Sequence, residues 1–597
     1  MGLQRLDGYA PIEWYAALGD GRVTALVALD GSIDWWTVPT MDAPPVLEAL
    51  LDADIGGRFA LAPVDDYDVS RSYVGDSAVL ETTYRVGAAT VRVTDSLNRG
   101  LLGTLPWTEL ARKVEADGGE VRMRWEFRCG HRFADAQARS RLYHDTPVLT
   151  LGDQTMAVVT ERAGDPQLLG DRVRGEFTAR PGERALVAVV AADAEPLHLP
   201  RPVHILGRIE ATAQAWQRWS DGLAFDGPWR DAVTRSAITL RQLTFDTSGS
   251  IMAAATAGLP EHLDAERNYD YRYSWVRDTS FSLDALVQLD LPEEVHTSMS
   301  WLLATVARTA PDIRVFYSVH GEVVPDDVTV VTGLRGYRGA TPVEVGNQAA
   351  SQRQLGSYGD LTDAVWRYAN AGNLLNEATG EMLAAMANQV CKQWPEADAG
   401  IWELGDSQHY TISKIACWVA LDRTLRLAAD NQVPADHAEQ WRATRDEIRD
   451  YVNEHCWSTA KNAYTFYVGT DKLDCATLLA ARTGFCPPGD PRLAGTVEAI
   501  RAELSAGGPL LYRYSGMAGK EGAFVACTFW LVEALVKVGC VAEAEAVFEA
   551  MLDRCNDVGL LSEEIDPETG QFRGNVPQSL SHLALIGAAT TLADALG

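Results

Sequence analysis

Two adjacent glutamates, Glu563 and Glu564, sit in "GLLSEEIDPETG" between an apolar run and a turn punctuated by Pro and Gly. Paired acids beside a loop are ordinarily a solvated surface feature, and they become chemistry only with another carboxylate in a matching context. The stretch "WPEADAGIWELGDSQ" offers one, because Glu403 follows Trp402 directly. An acid against an indole is desolvated, so its protonated form is favoured and its pKa rises, the state a general acid needs near neutral pH. A third stretch, "RNYDYRYSWVRDTSFSLDAL", crowds Arg267, Asp270, Arg272, Arg277 and Asp278 among aromatics at the head of a helix. These charges can be a salt-bridge network capping that helix. They can also be a sugar clamp, with Arg277 and Asp278 on vicinal hydroxyls and Tyr271 and Trp275 stacked on a pyranose face. Glycoside hydrolysis needs this set of groups: one carboxylic acid protonates the leaving oxygen, and another carboxylate activates water or attacks the sugar.

The elements that must position these residues fall into two patterns. The first ~200 residues alternate in strand fashion between Gly, Asp and Pro turns. "VTALVALDGSIDWWTVP" carries a D-G hairpin signal between two apolar runs, and many such short strands suggest a β-sandwich. The segment "PVHILGRIEATAQAWQRWSDGL" changes to helical periodicity and reads as a linker. From about residue 229 the pattern is helical almost to the end, with about twelve candidates, among them 275–290, 346–372, 409–428, 472–482 and 577–595. Twelve helices in that length suit a closed ring of six helical hairpins, whose long loops would build a pocket at one end. The expected domains are therefore 1–203 (antiparallel β-sandwich), 204–228 (helical linker) and 229–597 ((α/α)6 barrel).

Composition narrows the partners. A formal charge of −30 opposes nucleic acid and anionic membranes, which need a basic face. It suits a small neutral oligosaccharide or glucoside, and 17 Trp and 19 Tyr are a supply from which a sugar cleft can be lined, although packing claims most of them. Nine cysteines without CxxC spacing read as free thiols of a reducing compartment. With neither a secretory h-region nor a long apolar run in view, the expected location is cytoplasmic, with no membrane partner. The expected metal set is empty and no cofactor is called for, because this chemistry needs none and no cluster has metal-ligand spacing. The oligomeric state is open, a homodimer included.

Six ordered motifs carry a resemblance that covers nearly the whole chain: "ALGDGRVTALVALDGSIDWWTVP", "RNYDYRYSWVRD", "GLRGYRGATPVEVGNQAASQRQLGSYGD", "GIWELGDSQHYTISKIACWVALDR", "EGAFVACTFWLVEAL" and "GLLSEEIDPETGQFRGNVPQSLSHLALIGAA". Together they resemble glycoside hydrolase family 15, the glucoamylase, glucodextranase and trehalase family, in its bacterial form. The resemblance implies a sandwich, a helical linker and an (α/α)6 barrel, and hydrolysis with inversion at a non-reducing-end α-glucosyl unit. It also implies Glu403 as general acid, Glu563 as general base, and Arg277 and Asp278 with Trp275 and Tyr271 as the terminal-sugar site. Trp402 stands beside the acid, and Glu564 would take a supporting part. Among sandwich residues the loop around Asp42 is the one expected to reach the pocket. The leading expectation is an exo-acting glucoamylase or isomaltose-type hydrolase releasing β-glucose. An α,α-trehalase is the alternative, and a non-catalytic sugar binder on the same scaffold or a phosphorolytic enzyme are readings that the intact carboxylates oppose. Thr40 and Met41 replace a usual basic–aromatic pair, Gly356 a usual Asp and Ile412 a usual His. These departures are expected at the pocket rim, altering a plus-side subsite.

Overall fold

The computed structural model describes residues 3–100, 103–133, 135–194, 196–263 and 267–597. Two eight-stranded antiparallel sheets come first. One runs in the order Ala16–Gly19, Thr24–Val27, Ser32–Thr37, Arg58–Pro63, Val121–Arg128, Arg172–Ala179, Gln167–Leu169, with Pro45–Leu47 beside the third strand. The other runs Arg139–Tyr143, Thr146–Leu151, Gln154–Glu161, Arg184–Asp193, Thr108–Asp117, Ala89–Leu97, Leu80–Val86, Asp68–Tyr73. The D-G hairpin forms as read: Gly31 turns with φ 82°, and Leu26 faces Trp35 across the ladder. Alternation is plain in Val121–Arg128, whose Val121, Met123, Trp125 and Phe127 are buried while Arg122 and Arg124 face water.

Helix α1 (Pro202–Ser220) follows, laying Ile205 and Ile209 on Ala111, Leu186, Ala188 and Val190 of the second sheet. Twelve further helices follow among the described residues: α2 (Arg230–Gln242), α3 (Val276–Gln288), α4 (Pro292–Val306), α5 (Gly356–Asn370), α6 (Glu377–Gln393), α7 (Thr411–Ala429), α8 (Ala438–His455), α9 (Ala480–Thr483, after a 3-10 turn at Cys475–Leu479), α10 (Pro491–Glu503), α11 (Val525–Lys537), α12 (Val541–Leu552) and α13 (Ser579–Leu596). Helices α3, α5, α7, α9, α11 and α13 pack each on the next, and α13 closes on α3; α2, α4, α6, α8, α10 and α12 surround them. The sequence assigns the layers. Inner helices such as α7 and α11 are buried almost all round, whereas α8 buries one stripe, Trp441, Thr444, Ile448 and Val452. Because an outer helix returns the chain between successive inner ones, all inner helices start at the same end, and their preceding loops gather there.

Two expectations change. The helix expected at 346–372 begins only at Gly356; residues before it form a short strand and a 3-10 turn, with Asn347 capping the turn through its side chain. The one expected at 472–482 is a 3-10 turn running into a single helical turn. Among the described residues, α13 has the length and mean hydropathy of a membrane span, but 67% of it is buried within the protein. All nine cysteines are unpaired, and Cys129, Cys417, Cys456, Cys475, Cys486 and Cys527 are buried.

Candidate active site

The gathered loops enclose a cavity of about 280 Å³ at the N-terminal end of the inner helices. Glu403, Glu563, Arg277, Asp278, Trp275, Tyr271 and Trp402 all line it, although they come from three stretches of chain as far apart as residues 271 and 563.

Glu403 adopts a left-handed backbone, φ 60°, which costs a non-glycine residue about 1–2 kcal/mol. That geometry turns its side chain away from Trp402. The indole that meets the acid is Trp275, whose Nε1–H donates to Glu403 Oε1 at 2.6 Å. Trp402 instead donates to Asp474 Oδ1 at 2.8 Å and packs on Phe524 and Trp530. The sequence neighbour of Glu403 is therefore not its polar partner. Burial raises the pKa of Glu403, opposed by the Arg277 guanidinium and the Trp275 hydrogen bond. Arg277 Nη1 stands 3.6 Å from Glu403 Oε1, and Gln352 holds the Glu403 carbonyl at 2.9 Å.

Glu563 precedes a two-residue strand, Glu564–Ile565, and is 2% exposed. Its loop is pinned by α13: Ser581 Oγ donates to the Ser562 carbonyl at 2.8 Å, and Leu561 N–H donates to His582 Nε2 at 3.2 Å. His582 must be neutral to accept, and burial drives its pKa down to about 3. Room for the Glu563 side chain comes from Gly574, at φ 69°; a Cβ there would lie 2.6 Å from Glu563 Oε2. Among the described residues that oxygen has no hydrogen-bond partner. Burial lifts the pKa of Glu563 well above the usual range and Glu261 adds to the rise, while Arg513 and the Tyr271 hydroxyl favour the ionised form.

Arg277 and Asp278 open α3 joined to each other, Nε to Oδ1 at 2.9 Å, with Arg277 Nη1 also on the Ile401 carbonyl at 2.8 Å. Tyr271 stands edge-on to Trp275, ring centroids 5.5 Å apart, and stacks on Tyr269. Two expected contributors lie outside the lining. Glu564 is fully buried behind the cavity, its Oε2 accepting from Gly522 N–H at 2.8 Å. Asp42 bonds to Thr40 and lies 3.5 Å from His320, and its carbonyl accepts from Arg272 at 2.9 Å, so it ties the sandwich loop to the barrel. Three of the departures from the family pattern, Met41, Gly356 and Ile412, lie off the sugar cavity, whereas Leu404 and Gly405, where a basic residue is usual after the acid, line it. Met41 is buried among Leu243, Phe245, Met252, Ala255 and Val319, and Gly356 and Ile412 face a separate inner cavity.

Residues not singled out from the sequence complete the wall. Arg513, from "LLYRYSG", lies over Trp402 and Phe524 and binds Glu521 through Nε at 2.8 Å and Glu261 through Nη2 at 3.3 Å. Its placement between two tyrosines repeats the Tyr-Arg-Tyr of 271–273, a signal available in the sequence. Glu261, Glu521 and Glu564 bring carboxylate oxygens within 4.8 Å of one another, a grouping that could hold a cation. Arg513 and Arg267 already lie against Glu261 and Glu521 and supply the positive charge a metal ion would bring.

Residues 227–590 match the family model for glycosyl hydrolases family 15, and residues 6–160 the one for the trehalase-like N-terminal region. A trehalase of Mycolicibacterium smegmatis is 34% identical over 97% of this chain and 91% of its own length. A trehalase of Thermoplasma volcanium is 30% identical over 99% of this chain and 95% of its own. In structure the chain is similar to a bacterial glucoamylase complexed with acarbose, with a TM-score of 0.75 at 13% identity over 100% of this chain and 96% of the other, a likeness of fold alone.

Proposed function

The chain belongs to glycosyl hydrolase family 15, and from that premise we propose that it hydrolyses α,α-trehalose with inversion. The observation that carries the reading is the convergence of Glu403 and Glu563, from loops 160 residues apart, on one cavity that also holds Arg277 and Asp278. The choice of trehalose over the glucoamylase-type substrate expected from the sequence rests on the trehalase relatives, which match along nearly the full chain.

In this reading one glucosyl ring sits against Arg277 and Asp278, with Trp275 and Tyr271 beside it. Glu403, whose pKa burial raises, gives its proton to the bridging oxygen as the glycosidic bond breaks. The charge developing on the sugar is oxocarbenium-like, and a water on the opposite face adds to the anomeric carbon while Glu563 takes its proton. Glu563 must be ionised to do so; burial and Glu261 oppose that form, and Arg513 and the Tyr271 hydroxyl favour it. The attacked ring leaves as β-glucose and the other ring as α-glucose. Glu403 ends ionised and Glu563 protonated, and proton exchange with water restores both.

The test is glucose release from trehalose, maltose and isomaltose by the parent, Glu403→Gln and Glu563→Gln. The expected result is turnover of trehalose that falls by at least ~10²–10⁴ in each variant, with the fold retained. Parent-like rates in either variant remove that glutamate from its role, and release from maltose but not trehalose returns the substrate to the glucoamylase type.

A further inference from the structure

Beneath the sugar site, between α3, α5, α7 and α9, lies a second cavity of about 50 Å³. It shares only Arg277 and Ile401 with the first, so the Arg277 side chain stands between the two. Five charged residues line it: Arg277, Asp284, Asp360, Asp363 and Arg482. Four of them are paired. Asp284 holds Arg482 and, at 2.9 Å, Arg367; Asp363 holds Arg367 at 2.8 Å and Arg423 at 2.6 Å. Arg277 pairs with Asp278 and lies 3.6 Å from Glu403, so among the described residues Asp360 alone of the five has no ion-pair partner. Among the described residues no protein donor reaches the Asp360 carboxyl, and Arg277 spends Nε on Asp278 and Nη1 on Ile401 and leaves Nη2 without a protein acceptor. The Ser280 hydroxyl, also on this wall and 2% exposed, is likewise unbonded.

Asp360 and Arg277 are opposite charges facing one cavity without a direct ion pair. A polar gap of this kind is bridged by water, and 50 Å³ is several times the roughly 10–15 Å³ that one water needs. Residue 356, on the wall of this space, is glycine. Gly356 begins α5 and takes no left-handed φ, and a Cβ built on it would meet nothing within 4 Å. Neither backbone nor packing requires a glycine there.

We propose that Asp360 is a positioning residue for Arg277, acting through water held in the cavity that Gly356 helps to line. The inference rests on the reading of Arg277 as the residue that holds the terminal sugar. Through the water, Asp360 fixes the end of the guanidinium opposite Asp278, so that the remaining N–H groups meet the sugar in one orientation. The charges facing Asp360 are Arg277 and Asp278 from α3, Asp363 on its own helix and Arg482 from α9, and its pKa is raised to about 7 by burial, against the pull of Arg277. Asp360 is therefore neutral on the acid side of about 7 and charged on the alkaline side, where its hold on Arg277 is stronger.

The test is a double-mutant cycle on trehalose hydrolysis, with kcat and KM measured from acid to alkaline pH for the parent, Asp360→Asn, Arg277→Ala and the double variant. The expected result is an approximately tenfold loss of kcat/KM in Asp360→Asn, the size of one charge-assisted contact. That loss should grow as pH rises through about 7 and vanish in the Arg277→Ala background. An equal loss in both backgrounds, or none in the parent, overturns the proposal. Arg277→Ala without effect on KM or kcat overturns instead the reading on which it rests. If Asp360→Asn does not fold, Gly356→Val decides: it fills the cavity with Asp360 in place, and parent-like kcat/KM in a folded variant refutes the water bridge.

Discussion

Gly574→Ala puts the account of Glu563 under direct strain. The new Cβ would stand 2.6 Å from Glu563 Oε2 and 2.9 Å from its Cβ, whereas ordinary contact begins near 3.4 Å, so the carboxylate has to move by about 0.8 Å. A shift approaching 1 Å in a reacting group costs on the order of 10²-fold in rate, about 2.7 kcal/mol at the barrier. The left-handed φ of 69° adds about 1–2 kcal/mol to the cost of folding. Spread over a chain of 597 residues, that lowers the melting midpoint by only about 2 °C. The assay is steady-state hydrolysis of trehalose beside thermal unfolding. The expected pattern is kcat down ~10²-fold with KM nearly unchanged, because the role proposed for Glu563 is toward the water and not the sugar clamp. A folded Gly574→Ala enzyme with parent-like kcat would refute the claim that the position of the Glu563 carboxylate limits the chemistry.

Three further outcomes follow from the same geometry. Glu261→Gln removes a negative neighbour that raises the pKa of Glu563, so the acidic limb of the kcat/KM profile should move to lower pH; a shift to higher pH contradicts the assignment of that limb. Trp275→Phe deletes the indole donor that favours ionised Glu403, so the pKa of the acid rises and the alkaline limb should extend to higher pH; an unmoved limb means the hydrogen bond does not tune the acid. His582 has a folded pKa of about 3 against about 6.5 when unfolded, so the unfolded chain binds the extra proton as pH falls below about 6.5. Stability should therefore drop by about 2 kcal/mol from about pH 7 to about pH 5, and His582→Gln, which keeps an acceptor for Leu561, should lose that component of the drop in thermal melts.

Much of this site was legible because its groups announce themselves locally. Trp275, Arg277 and Asp278 stand at the start of a helix whose apolar spacing is plain, and the carboxylates Glu403 and Glu563 sit in long loops between strongly patterned helices. What the chain hid was pairing across sequence distance. Trp402 adjoins Glu403 and so looked like its desolvating partner, but a positive φ turns the two apart and brings in Trp275, 128 positions away. Arg513 and Glu261 meet across 252 positions, and neither neighbourhood alone predicts the other. The Ala- and Gln-rich run before Gly356 has helical composition, yet it is spent as pocket wall, where Asn347, Gln348 and Gln352 line the cavity. The reading of Gly356 and Ile412 as rim residues failed for a related reason: position along a loop does not reveal depth within a ring of inner helices.

The most direct test of the central claim is a proton NMR time course of trehalose hydrolysis, recorded faster than glucose mutarotates. Inversion by Glu403 and Glu563 predicts β- and α-glucose in equal amounts from the first points, one anomer from each half of the disaccharide. α-Glucose alone would mean retention and a covalent intermediate, and no glucose at all would mean that trehalose is not the substrate.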